Sequence, residues 1–362
     1  MTENIEIGAI EVIAPHFKRR LSGVTSTVVQ LVPLQAQTLR IATFGPGLPA
    51  DIPAIGWSSL PGLLRKPADR PFRIWHARRN VEMLAGIVLR HIFRAPIRLV
   101  FTSAAQRRHR AFTRWMIRRM DAVIATSRRS GDFLEAPCTV IMHGIDLARF
   151  HPARPADDSF EAAGLGGRYA VGCFGRIRHQ KGTDLFVDAM IALLPRYPDW
   201  TAVITGRVTA ENQAFADELQ KRVGEAGLTD RILFLGEVPD IKVWYRRLAL
   251  YVAPSRNEGF GLTPLEAMAS GTAVVASDAG AYQEMVVEGR TGCVVAAGDG
   301  AALQAAIRVY MADPGKTAEH GRAALDHVHA NFALENEADA IREVYERLWR
   351  DFSRKPSLKS SR

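Results

Sequence analysis

The sequence predicts an α/β protein of two doubly wound, Rossmann-like domains. Three observations predict it. The chain has 362 residues, too many for one ordinary domain at roughly 100–200 residues each. Short apolar runs alternate with helical patterns and no hairpin signal separates consecutive runs, as in parallel sheets with helices on both faces. From His151 to Arg168 (HPARPADDSFEAAGLGGR) the composition turns to Pro, Asp, Ala and Gly, which reads as an interdomain linker. The expected parts are a first domain over 1–155, a second over 156–335, a closing helix over 336–352 packing toward the first domain, and a flexible tail over 353–362.

The elements follow in order. A strand-like run from Glu6 to Ala14 leads through a basic loop, Lys18 to Gly23, into a helical pattern from Val24 to Leu39. Apolar runs at 41–44, 97–101, 122–125 and 139–142 read as strands, while the Pro- and Gly-rich segment 46–73 has no clear period. In the second domain strands are expected at 169–174, 200–205, 232–235, 250–253 and 273–277, with helices at 183–194, 212–226, 241–248 and 263–269. A last helical pattern covers 336–349, and the stretch from Arg354 to Arg362 has Leu358 as its one large apolar residue.

Composition narrows the class. Hydrophobic residues at 47% and charged residues at 23% exclude collagenous, disulfide-stapled and broadly disordered chains. No run approaches the roughly 18 uninterrupted apolar residues of a membrane span; the stretch from Met83 to Phe93 is broken by Arg90 and His91. Glu3, Glu6 and Glu11 stand where an export signal is basic, so a cytoplasmic protein is expected. Cys138, Cys173 and Cys293 lie far apart without metal-ligand spacing and read as small buried hydrophobes. The net charge of +9 is unevenly spread: residues 1–160 hold 23 Lys/Arg against 12 Asp/Glu, and residues 161–362 hold 24 against 26. A basic half attracts nucleic acid, anionic membrane or a phosphorylated substrate, and the sum does not choose among them.

Val171 to Thr183 (VGCFGRIRHQKGT) runs from a strand through a basic loop into a helix. An α/β sheet receives phosphate at such turns, because the helix N-terminus presents free N–H groups and the positive end of its dipole. Gly175 permits close backbone approach, and Arg176 and Lys181 suit a diphosphate, one as a fork and one as a point charge. A P-loop is excluded, since its pattern needs Gly at Gln180 and Ser or Thr at Gly182. Alone, the loop reads equally as a surface turn with solvated cations. The stretch from Ser255 to Glu266 (SRNEGFGLTPLE) repeats the arrangement: Gly259 and Gly261 let the chain fold tightly, Thr263 is placed to cap, and Pro264 suits a first helical turn. Glu258 and Glu266 flank the shared ligand, and carboxylates suit hydroxyls rather than phosphate.

Three motifs in order, HGID-x3-F-x-P from His143 to Pro152, GR-x4-KG from Gly175 to Gly182 and E-x7-E from Glu258 to Glu266, resemble the large retaining glycosyltransferase family of GT-B architecture, family 4. The resemblance covers essentially the whole chain and implies the GT-B arrangement, with the C-terminal closing helix crossing back to the first domain. It implies that Glu258 touches a donor sugar, that Glu266 holds the nucleotide ribose, and that Arg176 and Lys181 neutralise the leaving diphosphate. Gly175, Gly259, Phe260, Gly261, Leu262 and Thr263 then line the donor, and main-chain groups near Val238 hold the base. Gly23 matches the family's N-terminal glycine loop, with Ser22 where a second Gly is usual; Ser22 as an ordinary N-cap is an equal and compatible reading. No two aspartates stand two residues apart, so the D-x-D signature of the other large transferase fold is missing, and neither a metal nor another cofactor is expected.

WHARRN at 75–80, TSAAQRRH at 102–109 and IMHGID at 141–146 look like the lipopolysaccharide core mannosyltransferases of rhizobium-like bacteria. This implies GDP-mannose as donor, an anionic lipid-linked acceptor of the Kdo-lipid A type, and peripheral association with the cytoplasmic face of the inner membrane. Basic clusters at Lys18-Arg19-Arg20, Arg78-Arg79 and 107–119 agree with such an acceptor. In the last, Arg107, Arg110, Arg114 and Arg118 recur at helical spacing, with Phe112, Trp115, Met116 and Met120 as an apolar side. His76, Arg78, Arg79, Arg107 and Arg110 are the candidate acceptor contacts, although a lone histidine such as His76 is more often a satisfied scaffold group, and the 107–119 helix taken alone reads as a sheet-packing element with a wet face. The threonine-x-histidine common in relatives reads Thr102-Ser103-Ala104, so the group receiving the acceptor proton is unassigned, and His143 is expected in the interdomain crossover.

The rival readings are a transferase using another sugar nucleotide, such as UDP-glucose, and a non-catalytic nucleotide-binding protein at a membrane surface. No nucleic-acid module is legible. A dinucleotide dehydrogenase is disfavoured because Gly45 to Ala50 (GPGLPA) carries two prolines and opens no helix.

Overall fold

The computed structural model describes residues 6–18, 23–154 and 158–354. The chain divides into two compact units, Met1–Gly144 with Leu334–Arg362, and Ile145–Ala333. In the first, β1 (Val12–Pro15), β2 (Ile41–Phe44), β3 (Ala54–Ile55), β4 (Arg73–Ala77), β5 (Ile97–Ser103), β6 (Ala122–Ala125) and β7 (Thr139–Val140) form one sheet in the order β3-β2-β1-β4-β5-β6-β7. Every pairing is parallel. Helices α1 (Gly23–Gln35), α2 (Asn80–His91), α3 (Ala111–Ile117) and α4 (Arg128–Asp132) fall between strands.

Side chains alternate across a strand, so one strand feeds two cores. Val12, Ala14, Ile74 and Val100 enter one apolar cluster, while Ile13, Trp75, Leu99 and Phe101 enter the other. Arg73 on β4 is fully buried, and burial lowers its pKa. Its guanidinium donates to the carbonyls of Ile7, Ile10 and Arg65 at 2.8, 2.9 and 2.6 Å. The clamp explains why β1 starts at Val12 and not at Glu6: the Ala9 N–H bonds the Glu6 carbonyl in a turn that presents those carbonyls to Arg73.

In the second unit, β8 (Tyr169–Phe174), β9 (Trp200–Thr205), β10 (Ile232–Gly236), β11 (Leu250–Ala253), β12 (Ala273–Ser277) and β13 (Gly292–Val295) lie parallel in the order β10-β9-β8-β11-β12-β13. Helices α5 (Thr183–Leu193), α6 (Gln213–Glu225), α7 (Ile241–Arg246) and α8 (Thr263–Ala269) connect the first five strands, and α9 (Tyr282–Met285) precedes β13. Helices α10 (Gly300–Ala312) and α11 (Pro314–Asn331) follow, a region for which the pattern offered no assignment. Both start behind capping aspartates: Asp299 accepts from the Ala302 N–H and Asp313 from the Lys316 N–H, each at 2.9 Å. Strand order reverses between β1 and β4 in one sheet and between β8 and β11 in the other, so each has a crevice at the carboxyl ends there.

The boundary falls at Gly144/Ile145 rather than at 155/156, and the expected linker lies inside the second unit. The cause is local bonding: the Ile145 N–H bonds the Phe332 carbonyl at 2.8 Å, and the buried Phe150 ring stands 6.0 Å from Tyr245. His143 belongs to the first unit, its Nδ1 2.7 Å from Glu337. The last helix, α12 (Leu334–Arg354), also belongs to the first unit and runs two residues into the expected tail; residues 355–362 lie outside the described ones. Leu334, Ala338, Ile341, Tyr345 and Trp349 recur at helical spacing on its buried face and join the core of α1. Among the described residues, no helix is long and apolar enough to cross a membrane.

Trp349 is 3% exposed, donates to the Phe72 carbonyl at 3.1 Å and lies under Arg70, 4.0 Å from ring centroid to guanidinium. Trp349→Ala should cost about 3–5 kcal/mol, read as a lowered urea midpoint of the first unit's transition.

Candidate active site

The second unit brings two strand-to-helix turns together at its crevice. The first leaves β8 at Gly175, forms a single 3-10 turn over His179–Lys181 and enters α5 through Gly182. The second leaves β11 at Pro254 and enters α8 through Leu262. Gly182 has φ +71°, and a Cβ there would lie 2.0 Å from the Pro254 carbonyl oxygen, so only glycine lets the two backbones meet. Side chains stitch the same seam. Arg256 grips both carboxylate oxygens of Asp184 at 2.7 Å, its N–H bonds the Gln180 carbonyl at 2.9 Å, and Gln180 Nε2 donates to the Asn257 carbonyl at 3.1 Å. Burial raises the Asp184 carboxyl, but the Arg256 fork outweighs it and leaves the pKa below its ordinary value.

The seam places Lys181 directly on Glu258: Nζ donates to Oε2, while Glu258 Oε1 accepts from the Gly259 N–H at 3.1 Å. Burial opposes the Lys181 ammonium, yet Tyr282 and Glu258 more than offset it and hold its pKa above the ordinary lysine value. Glu266 sits one turn into α8. Burial lifts its carboxyl above the usual range, partly offset by the Tyr245 hydroxyl, which donates to Oε2 at 2.7 Å, and by Lys181 and Arg149. A cavity of about 300 Å³ at the carboxyl ends of β8 and β9 is lined by Gly175, Arg176, Val238, Thr263 and Glu266. A narrower crevice shares Gly175 and Thr263 with it and reaches Lys181.

Most of the expected donor residues are thus adjacent, with three corrections. Thr263 does not cap α8; it is the first helical residue, and the N-cap position is Leu262, which makes no side-chain cap bond. Phe260 is buried, and its carbonyl accepts from the Ala281 N–H at 3.1 Å, so its ring is core and not lining. Gly261 has φ +84° and packs its α-carbon against Tyr282, where a Cβ would lie 2.3 Å from the ring. Gly23 opens α1 in the first unit, and Ser22, Arg19 and Arg20 lie outside the described residues.

Sequence reasoning missed Arg207, Tyr245 and Glu237, which complete the cavity wall. A signal existed: Thr205-Gly206-Arg207 after β9 repeats Phe174-Gly175-Arg176 after β8. The two glycines interlock, because a Cβ on Gly206 would lie 1.9 Å from the Gly175 carbonyl oxygen. Among the described residues no group of three or more His, Cys, Asp or Glu is placed to hold a metal ion.

The first unit carries a second cavity, of about 700 Å³, at the carboxyl ends of β4 and β5. Arg78, Arg107 and Arg110, three of the candidate acceptor contacts, line it, and so do the unforeseen Arg108, His109, Asn80 and Thr113. His76 and Arg79 do not. His76 is fully buried with Nδ1 on the Tyr345 hydroxyl and Nε2 2.7 Å from Thr102 Oγ1, and burial drives its pKa well down; it joins β4 to α12. Arg79 spends its guanidinium on Glu82 and His16, each at 3.0 Å, and on Thr25 at 3.3 Å. Nor does 107–119 form one helix: α3 covers Ala111–Ile117, so Arg107 stands in the loop before it and Arg110 at its N-cap. Met116 faces the core, whereas Phe112 and Trp115 are exposed, stacked with centroids 5.6 Å apart.

Comparison with known proteins agrees with this architecture. The family described as Glycosyl transferases group 1 matches residues 168–313. The lipopolysaccharide core biosynthesis mannosyltransferase LpcC of Rhizobium leguminosarum bv. viciae is 67% identical, covering 96% of this chain and 99% of the relative. The corresponding LpsB of Rhizobium meliloti (strain 1021) is 54% identical, covering 96% and 100%. Among solved structures, the C-terminal domain of a glycosyl transferase group 1 family protein (LpcC) from Francisella tularensis is 36% identical, with a TM-score of 0.51 over 53% of this chain and 100% of that one. Anabaena Alr3699/HepE, solved in complex with UDP, has a TM-score of 0.80 over 93% of this chain and 100% of that one at 21% identity, a likeness of fold. Two doubly wound parallel sheets of this kind are the GT-B fold. The chain belongs to the glycosyl transferases group 1 family, and LpcC and LpsB are its full-length relatives there.

The seam is testable on its own. Gly182→Ala should destabilise the second unit by at least about 2 kcal/mol, since a strained φ and a backbone clash coincide. Gly298→Ala, at φ +87° with open space around it, should cost only about 1 kcal/mol. Denaturant unfolding of both variants checks the difference.

Proposed function

We propose that this chain is a retaining, metal-independent mannosyltransferase of lipopolysaccharide core synthesis, moving mannose from GDP-mannose to a Kdo-lipid A type acceptor at the cytoplasmic face of the inner membrane. The observation that carries this reading is the 67% identity to LpcC over nearly the full length of both chains. The site geometry supplies a mechanism. Breaking the bond between the sugar C1 and the β-phosphate oxygen leaves an electron pair on the diphosphate and an oxocarbenium-like sugar. Arg176 and Lys181 offset the growing negative charge, an interaction strongest in the transition state. Glu258, bonded to Lys181 and to its own loop, is fixed beside that ammonium and orients the sugar through its hydroxyls. Glu266, held by Tyr245, accepts from the ribose, while Val238 and the neighbouring main chain meet the base. The surplus of Lys and Arg over Asp and Glu in residues 1–160, 23 against 12, suits an anionic acceptor and an anionic membrane surface.

Incubation with GDP-mannose and Kdo-lipid A should yield a product heavier by one hexose, with a chelator leaving the rate unchanged. Lys181→Ala and Glu258→Ala should each lower kcat by about 10²–10³. Full transfer by either variant would place the chemistry elsewhere, and transfer from UDP-glucose in preference to GDP-mannose would replace the donor.

Glu266 gives a pH dependence. Only the ionised carboxylate accepts from two ribose hydroxyls, and burial has displaced its pKa upward. The donor KM should therefore rise as pH falls through a value above the ordinary glutamate range, and Glu266→Gln should remove that dependence. Initial rates against pH at several donor concentrations measure both.

A further inference from the structure

We propose that the cavity at the carboxyl ends of β4 and β5 is an oxyanion subsite that holds the acid groups, carboxylate or phosphate, of the acceptor glycan. The proposal rests on the transferase reading above and extends it to a place and a chemistry.

Four guanidiniums, Arg78, Arg107, Arg108 and Arg110, line this one cavity of about 700 Å³, and no Asp or Glu is among its lining residues. Several arginines elsewhere in the first unit are matched: Arg70 with Glu11 and Glu346, Arg79 with Glu82, Arg90 and Arg98 with Asp121, Arg114 with Glu135. Among the described residues, none of the four cavity arginines has a carboxylate within ion-pair distance. Four guanidiniums thus share one concave surface with no carboxylate among them, and like charges gathered there repel until anions enter.

The remaining lining is neutral and fixed. Burial and Arg107 lower the His109 pKa, so the ring adds no cation near pH 7, and its Nε2 lies 3.4 Å from Ser103 Oγ. Asn80 Nδ2 donates to Thr113 Oγ1 at 2.8 Å, tying the start of α2 to α3. The Arg78 N–H is held by Glu82 at 2.7 Å, which pins the chain just before the cavity's edge. Phe101 gives the wall an apolar face for a sugar ring. Four planar forks suit two oxyanions, each gripped bidentately, and the volume suits a ligand larger than one monosaccharide. The ligand class is thus a short acidic glycan with at least two acid groups close together.

The test uses the full chain, GDP-mannose and micellar Kdo-lipid A. Arg107→Gln and Arg110→Gln should each raise the acceptor KM about tenfold, and the combined R107Q/R108Q/R110Q variant more than a hundredfold, with kcat and the GDP-mannose KM within twofold. Arg114→Gln removes the same charge from the adjoining helix α3, outside the cavity, and should leave both KM values within twofold. Acceptor with its Kdo carboxyls reduced to alcohols should lose what the combined variant loses if carboxylates fill the subsite; acceptor stripped of its lipid A phosphates should do so if phosphates fill it. An unchanged acceptor KM in the combined variant, or a parallel rise in both KM values, overturns the proposal. So does an equal loss of binding to phosphatidylglycerol micelles, which would make the patch a membrane contact. If the wild type transfers from no donor, the transferase reading falls, yet the subsite is still decided: labelled Kdo-lipid A micelles should bind the wild type and not the combined variant.

Discussion

The geometry of the second unit depends on one close approach, that of the Gly182 α-carbon to the carbonyl of Pro254. Two turns that begin on adjacent strands can share a ligand only if their backbones meet, and no side chain fits at the meeting point. Arg256 and Asp184 then lock the seam with a two-pronged ion pair, and Lys181 arrives against Glu258 with no further adjustment. The proposed chemistry inherits the packing: the cation proposed for a diphosphate and the carboxylate proposed for a sugar are held by the same contact that joins the loops.

The seam of the second unit and the cavity of the first handle charge in opposite ways. In the second unit each cation of the seam has its counter-charge, so Lys181 keeps its proton despite burial, and Asp184 stays ionised. This suits a site where charge changes during the reaction, because preorganised partners need not move as it develops. In the first unit the cavity arginines face each other without carboxylates, which suits a site whose ligand brings permanent charge of its own.

The fold was legible where its physics is local. Strands such as Tyr169–Phe174 and Trp200–Thr205 are buried on both faces and read as apolar runs at their observed bounds. β4 was hidden because Arg73 and His76 interrupt the pattern, and both are buried only because long-range partners satisfy them: carbonyls of residues 7–10 for one, Tyr345 of α12 for the other. The same blindness affected the site. Motif spacing put Arg176, Lys181, Glu258 and Glu266 at the two turns where they stand, since a strand-to-helix turn fixes its residues locally. It left His76 open between a contact and a scaffold group, could not see the partners from elsewhere in the chain that hold Arg79, and read a helix through Arg107 where β5 runs on to Ser103 and a loop intervenes. Arg207 was within reach, as the second of two Gly-Arg pairs at successive strand ends, once the β8 and β9 carboxyl ends are seen to be neighbours.

The most direct measurement is a crystal structure of the chain with GDP-mannose. The account predicts the diphosphate within hydrogen-bond reach of Arg176 and Lys181, the ribose on Glu266 and the mannose beside Glu258. A diphosphate bound away from the Gly175 and Gly259 turns, with these four side chains touching none of it, would contradict the account.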